Sequence, residues 1–197
     1  MSDVLVLYYS LGGATEALAR EVCNGVDSVR DMASRLRTVP PVSSVAEASE
    51  DAIPGSGPPY VSGADLEECT GVVMGSPTRF GNMSSALKYF IDSTGGEWMK
   101  GTLTGKPAGV FTSTSSLHGG SETTLLTMAI PLLHHGMIYV GLPYSEQELS
   151  TTTTGGSLYG ATHVTWGRQA DELSNDEKRL AFALGKRVAE IAQKLER

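Results

Sequence analysis

Three short polar segments of this chain hold the residue types best suited to chemistry. The first, Ser10-Leu11-Gly12-Gly13-Ala14-Thr15, offers two hydroxyls and a run of backbone N–H groups leading into a helical pattern. A helix amino end carries about half a positive charge, so such a turn suits a phosphate. No Lys or Arg lies between residues 10 and 19, which leaves neutral donors and the helix end to hold the anion. An ordinary glycine turn with an N-cap fits these residues equally well. The second segment, Ser76-Pro77-Thr78-Arg79-Phe80-Gly81-Asn82, sets an aromatic ring beside a guanidinium on a proline-stiffened turn. Phe80 is able to flank a planar ring, and Arg79 or backbone N–H groups to stabilise negative charge developing on it. A surface arginine next to a packed phenylalanine is the plainer alternative. The third segment, Ser113-Thr114-Ser115-Ser116-Leu117-His118-Gly119, adds a row of hydroxyls and an imidazole.

Trp98 and the pair His134 and His135 complete the candidates. Trp98 follows the turn Thr94-Gly95-Gly96 and is either a core plug or a stacking surface. Adjacent residues of a helix point about 100° apart, so the two histidines do not form a paired ligand site. His118 and His163 are read in loops, and no metal is expected. Other chemistries lack their residues. Gly12-Gly13 departs from the GxGxxG spacing, and Gly101 to Pro107 is one residue short of a P-loop, with Pro107 where magnesium needs a hydroxyl. There is no GxSxG motif, and neither Cys23 nor Cys69 has a base nearby in sequence. A phosphate-receiver domain needs acids after its first strand, where this chain has Tyr8-Tyr9-Ser10.

These segments need elements to present them. Residues 4–9 are apolar and β-prone, as a strand buried on both faces would be, and Leu18, Val22 and Val26 then recur at helical spacing. Residues 32–39 alternate Leu36 with Arg35 and Arg37, which predicts an edge strand. Further strands are expected at 71–75, 108–112 and 137–140. Helices between them carry Met83, Leu87, Phe90 and Ile91, then Leu125, Met128 and Leu132, with Pro131 expected to kink or interrupt the latter. Ser174 and Glu177 form a capping box for a last helix with Leu180, Leu184, Val188, Ile191 and Leu195 on one face. The alternation implies a doubly wound α/β fold with an open parallel sheet. Such sheets bind ligands beyond the carboxyl ends of their strands, where all three polar segments then lie.

Two stretches resist this pattern. Residues 38–63 hold five of the nine prolines, and residues 142–172 read as turns and loops rich in Thr and Gly. A domain boundary in the first would leave about 37 residues on its amino side, near the lower limit for independent folding. A single domain over 1–197, with 38–63 as a surface excursion and 142–172 as a loop-rich insertion, is the preferred reading. The 197 residues are 40% hydrophobic, enough to bury a core without staples. Two cysteines with no CxxC fit a cytoplasmic setting. No apolar stretch approaches 18 residues, so no membrane insertion is expected. Fifteen Lys and Arg against 22 Asp and Glu give a net charge of −7, and no nucleic-acid partner is expected.

Taken together, Tyr8-Tyr9-Ser10 through Thr15, the run from Gly75 to Met83, Thr94-Gly95-Gly96-Glu97-Trp98, Phe111 to Thr114 with His118 to Thr124, His134-His135-Gly136-Met137 and Leu158-Tyr159-Gly160-Ala161 resemble the WrbA-type NAD(P)H:quinone oxidoreductases. The resemblance implies a flavodoxin-like fold with a five-stranded parallel sheet, non-covalent FMN, and a homotetramer whose active sites lie where subunits meet. Carried over by motif, residues 10–15 hold the FMN phosphate, residues 77–82 (Thr78, Arg79 and Phe80 foremost) the isoalloxazine, and residues 113–119 the ribityl chain and ring edge. His134 and Trp98 complete a pocket in which nicotinamide and quinone take turns, with His134, Trp98 and Phe80 as the catalytic set. The implied reaction is hydride transfer from NADH or NADPH to FMN, followed by two-electron reduction of a quinone. Gly12 stands where several relatives carry a tyrosine, and Ser121 where a glutamine is usual. A flavodoxin-like electron carrier and a flavin-free interaction module are the competing classes.

Overall fold

The computed structural model describes residues 2–42, 55, 57–167 and 169–196. Strand β1 (Ser2–Tyr8) is followed by α1 (Ala14–Asp27), β2 (Met32–Thr38), α2 (Gly63–Glu68) and β3 (Gly71–Pro77). Then come α3 (Ser85–Ser93), α4 (Gly95–Lys100), β4 (Pro107–Thr114) and α5 (Ser121–His134). The chain continues through β5 (Ile138–Tyr139), α6 (Glu148–Thr151), β6 (Ala161–Val164) and α7 (Asn175–Leu195). All strand pairs are parallel, in the order β2-β1-β3-β4-β5, with β6 also paired to β4.

The period of two in β1 divides the core. Val4, Val6 and Tyr8 pack with α1 and α7 on one face, whereas Leu5 and Leu7 join Leu87, Leu125 and Met128 on the other. α1 and α7 approach closely enough that a Cβ on Gly25 would lie 1.9 Å from the Phe182 carbonyl oxygen, and one on Gly185 2.0 Å from that of Val22. Only glycine fits either position, and the crossing fixes the direction of α1. The capping box of α7 forms as expected, and Leu180, Leu184 and Val188 are buried, although Leu195 is exposed.

Four expectations are corrected. The fifth strand is shared between two short pieces: β5 pairs with the start of β4 (Pro107↔Ile138), and β6 pairs with its end (Phe111↔Ala161 to Thr114↔Val164). The chain leaves the sheet after Val140, and the two arms of the excursion run together, with Leu142 N–H donating to Leu158 O at 2.9 Å. The sheet is thus five strands plus one, and His163 lies in a buried strand rather than a loop. α5 continues one turn past Pro131 to His134. The proline removes one ladder bond, while Leu125, Met128 and Leu132 on the buried face hold the register. Trp98 follows no open turn; Gly95 and Gly96 begin the short helix α4.

β2 is an edge strand, as its alternation implies. Arg35 pairs there with Asp3 (2.5 Å) and Glu68 (2.8 Å), and Arg37 with Asp65 (3.0 Å). The ends of the 38–63 stretch are tied down, with Thr38 N–H donating to Pro59 O and Val61 N–H to Thr38 O. Residues 43–54 and 56 lie outside the described residues. Among the described residues, no helix is long and apolar enough to cross a membrane.

Candidate active site

At the carboxyl ends of β1, β3, β4 and β6 lies a cleft of about 280 Å³. The turn after β1 supplies Ser10, Leu11, Gly12, Ala14 and Thr15. Pro77, Thr78 and Arg79 come from β3 and the turn after it, and Ser113, Thr114, Ser115 and Gly119 from β4 and its loop. All three polar segments therefore contribute. Thr165, just beyond β6, closes the set and was not read from the sequence. Its signal was the pairing of Ala161–Val164 with β4, which no local pattern announces.

The cleft is rich in uncharged donors. Gly13 begins α1 at φ 87°, a left-handed conformation open to glycine at no steric cost, and no side chain caps the helix. The first-turn N–H groups that every helix leaves unpaired therefore remain as donors beside Ser10 and Thr15. The Gly13 N–H itself donates to Ser10 Oγ at 3.1 Å. Thr15 Oγ1 and Ser113 Oγ lie 2.9 Å apart and join the turn to β4. Thr78 Oγ1 is 3.3 Å from Thr112 Oγ1 and 3.1 Å from Thr124 Oγ1, while Thr112 donates to Ser76 O at 2.7 Å. Gly120 (φ 91°) begins α5, again with no side-chain cap. At the end of β1, burial pushes the Tyr8 hydroxyl up to about 12, so it stays protonated.

The second segment makes a tight turn, with Arg79 N–H donating to Asn82 O at 2.8 Å and Asn82 N–H to Arg79 O at 3.0 Å. Within it Phe80 sits at φ 51° with its side chain fully exposed. Holding a phenylalanine there costs about 1–2 kcal/mol. It is not packed, contrary to the plainer sequence reading. Arg79 Nη1 donates to Thr78 O at 2.9 Å, which anchors the guanidinium beside the cleft.

Two further hollows adjoin. Ser116, Leu117 and His118 face Thr153, Thr154, Val164 and Trp166 around about 420 Å³. Asn82, Trp98, Ile130, Pro131, His134 and His135 belong to a groove of about 490 Å³. Here the structure brings Trp98 and His134 together, since Trp98 Nε1 donates to His134 O at 2.8 Å. His135 faces inward, with Nε2 3.0 Å from Thr94 Oγ1, and burial lowers its pKa, so it favours the neutral ring. The Arg79–Asn82 turn lies between this groove and the cleft, giving Asn82 to one and Arg79 to the other. Among the described residues no group of three metal-ligating side chains forms.

Comparison with known proteins bears on the family and the fold. Residues 3–146 match the family model described as NADPH-dependent FMN reductase. A relative from Solidesulfovibrio magneticus, named NAD(P)H dehydrogenase (quinone), is 43% identical over 98% of both chains. One of the same name from Cupriavidus metallidurans is 44% identical over 99% of both. Among solved structures, a flavodoxin, WrbA-like protein from Agrobacterium tumefaciens superposes with a TM-score of 0.67 at 23% identity, covering 98% of this chain and 99% of the other. An archaeal flavodoxin gives 0.64 at 18% identity, covering 97% and 99%. Their likeness establishes the flavodoxin-like fold. With the sheet, the cleft and these matches in agreement, the chain belongs to the NADPH-dependent FMN reductase family.

Proposed function

We propose that this chain is an FMN-dependent NAD(P)H:quinone oxidoreductase. The observation that carries the reading is the uncapped amino end of α1, opening into a hydroxyl-lined cleft at the carboxyl ends of the strands. Such a donor set fits a phosphomonoester. Relatives named NAD(P)H dehydrogenase (quinone) at 42–44% identity over nearly the whole chain supply the substrate classes, NADH or NADPH and a quinone.

Bound FMN supplies the capacity to accept a hydride and pass two electrons on. The chain provides the rest. Residues 10–15 hold the phosphate through α1's first-turn N–H groups and the Ser10 and Thr15 hydroxyls. Residues 113–119 receive the ribityl chain with hydroxyls from Ser113, Thr114 and Ser115. Pro77, Thr78, Arg79, Gly81 and Asn82 shape the turn beside the ring system. Phe80, exposed at a strained φ, offers an aromatic face, worth on the order of 1 kcal/mol per stacked pair and therefore orienting rather than driving. Trp98 and His134 wall the substrate slot, and His134 presents a proton donor to the quinone oxygen.

In this reading the chain forms a homotetramer in which another copy completes the groove of Trp98 and His134. The outer face of α5 supports it, because Leu126, Ile130 and Leu133 are exposed although the inner face is also apolar. Such a patch fits a protein partner. A cytoplasmic setting is consistent with the two buried free cysteines.

Purified protein should carry FMN and oxidise NADH or NADPH in the presence of benzoquinone. His134→Ala should lower quinone turnover at least tenfold while FMN content stays normal, the range expected on losing a positioned proton donor. FMN binding without benzoquinone-dependent oxidation would mark an electron carrier instead, and no FMN uptake on titration would mark an interaction module.

A further inference from the structure

Behind the cleft lies a buried pair with no role in the roles assigned above. The His163 and Glu177 side chains are both fully buried, with Nδ1 3.0 Å from Glu177 Oε2. The carboxylate also accepts from the N–H groups of Gly155 (2.9 Å), Val164 (3.0 Å) and Ser174 (2.8 Å). Burial alone would raise its pKa, but these donors outweigh burial and hold it at about 2. The other ring nitrogen, Nε2, lies 3.2 Å from the Ala170 carbonyl oxygen. Both partners of the ring are oxygen acceptors, so a hydrogen on either nitrogen meets an acceptor.

The Ala170 end of this relay reaches the cleft. A Cβ built on Gly12 would lie 3.9 Å from Ala170 Cβ, and one on Gly13 3.8 Å from Asp171 Cβ. Ala170 and Asp171 therefore stand about one methyl group's reach from the Gly12-Gly13 turn, on the chain that His163 meets. His163 is also the register partner of Ser113, whose hydroxyl meets Thr15.

We propose that His163 is a positioning residue for the phosphate end of the cleft, holding the Ala170 carbonyl so that Ala170 and Asp171 brace the Gly12-Gly13 turn. This rests on the reading of that cleft as the FMN site. His163 touches no ligand; it acts through the backbone, on the phosphate and not on the ring system. The lesion it predicts is thus specific: preference for FMN over riboflavin, which lacks the phosphate, falls while riboflavin affinity holds.

Two variants separate the two nitrogens. In His163→Asn the amide N–H reaches where Nδ1 stands and keeps the bond to Glu177, but Ala170 loses the ring nitrogen it faces. In His163→Gln the amide N–H reaches where Nε2 stands and keeps Ala170. Fluorescence titrations with FMN and with riboflavin, alongside melting curves of the flavin-free proteins, should show the Asn variant losing about tenfold in FMN affinity, the scale of one lost hydrogen bond. Its riboflavin affinity stays unchanged, and the Gln variant keeps the wild-type preference. An Asn variant with normal preference overturns the proposal, as does equal loss in both variants. Should the Asn variant fail to fold, the Gln variant decides: retained preference supports the role and lost preference overturns it. Wild-type protein that binds FMN no better than riboflavin overturns the reading of the cleft and this inference with it, an outcome distinct from failure of the variants alone.

Discussion

The polar groups along the β2 edge and those at the carboxyl ends of the strands are satisfied in different ways. At the edge, Arg35 and Arg37 meet Asp3, Asp65 and Glu68, so each guanidinium has its carboxylate within the chain. The His163 and Glu177 pair behind the cleft is closed in the same sense. The cleft differs: its hydroxyls, such as Thr15 with Ser113 and Thr78 with Thr124, pair with one another, and the amino end of α1 has no side-chain cap. Buried and half-buried charges here hold the protein together, whereas neutral donors are left for a ligand. At the α1 turn an anion held by neutral donors keeps its charge, and no cation of that turn has to be desolvated with it.

The contrast can be broken at three points. The largest effect is expected from Glu177→Ala, which strands His163 and three backbone donors in the interior and should cost about 3–5 kcal/mol in denaturant unfolding. The pH dependence follows from the depressed pKa. The stability this carboxylate contributes is full above 4.5 and is lost as pH falls from there toward 2, so the variant should lack that part of the acid-side decline. Asp65→Ala comes next. Asp65 accepts from the Ser62 N–H and hydroxyl at 2.8 Å each and from Arg37 Nε at 3.0 Å; despite its burial, the Ser62 donors and Arg37 hold its pKa down. Losing it should cost about 1–3 kcal/mol while FMN titrations remain unchanged. Altered FMN affinity in this variant would erase the distinction between the two regions. Thr15→Val should reverse that pattern, with stability within about 1 kcal/mol of wild type and FMN affinity lowered about tenfold. Equal FMN affinity would move the phosphate away from the α1 turn.

What the sequence disclosed tracks how local each signal is. Ser174 and Glu177 stand three residues apart and announce α7, and the apolar run of β1 announces a central strand. β6 is four residues long, lies among Thr and Gly, and exists because β4 has an unpaired upper half, a fact no window around Ala161 contains. For that reason His163 reads as a loop residue, and Thr165 and Trp166 carry no local signal. α4 begins with two glycines against their helical propensity, so Trp98 reads as part of a turn. Pro131 misled in the other direction, because its buried neighbours outweigh one missing bond. The three polar segments were legible as types; that Phe80 stands fully exposed at positive φ, and that Trp98 and His134 form a separate groove, are tertiary facts.

The glycine crossing of α1 with α7 also bears on biosynthesis. The turn carrying Ser10 and Thr15 is translated well before the α7 surface that seats its helix. A nascent chain paused before α7 would show the apolar stripe of α1 to chaperones, and the cleft would take its final shape only once α7 had emerged.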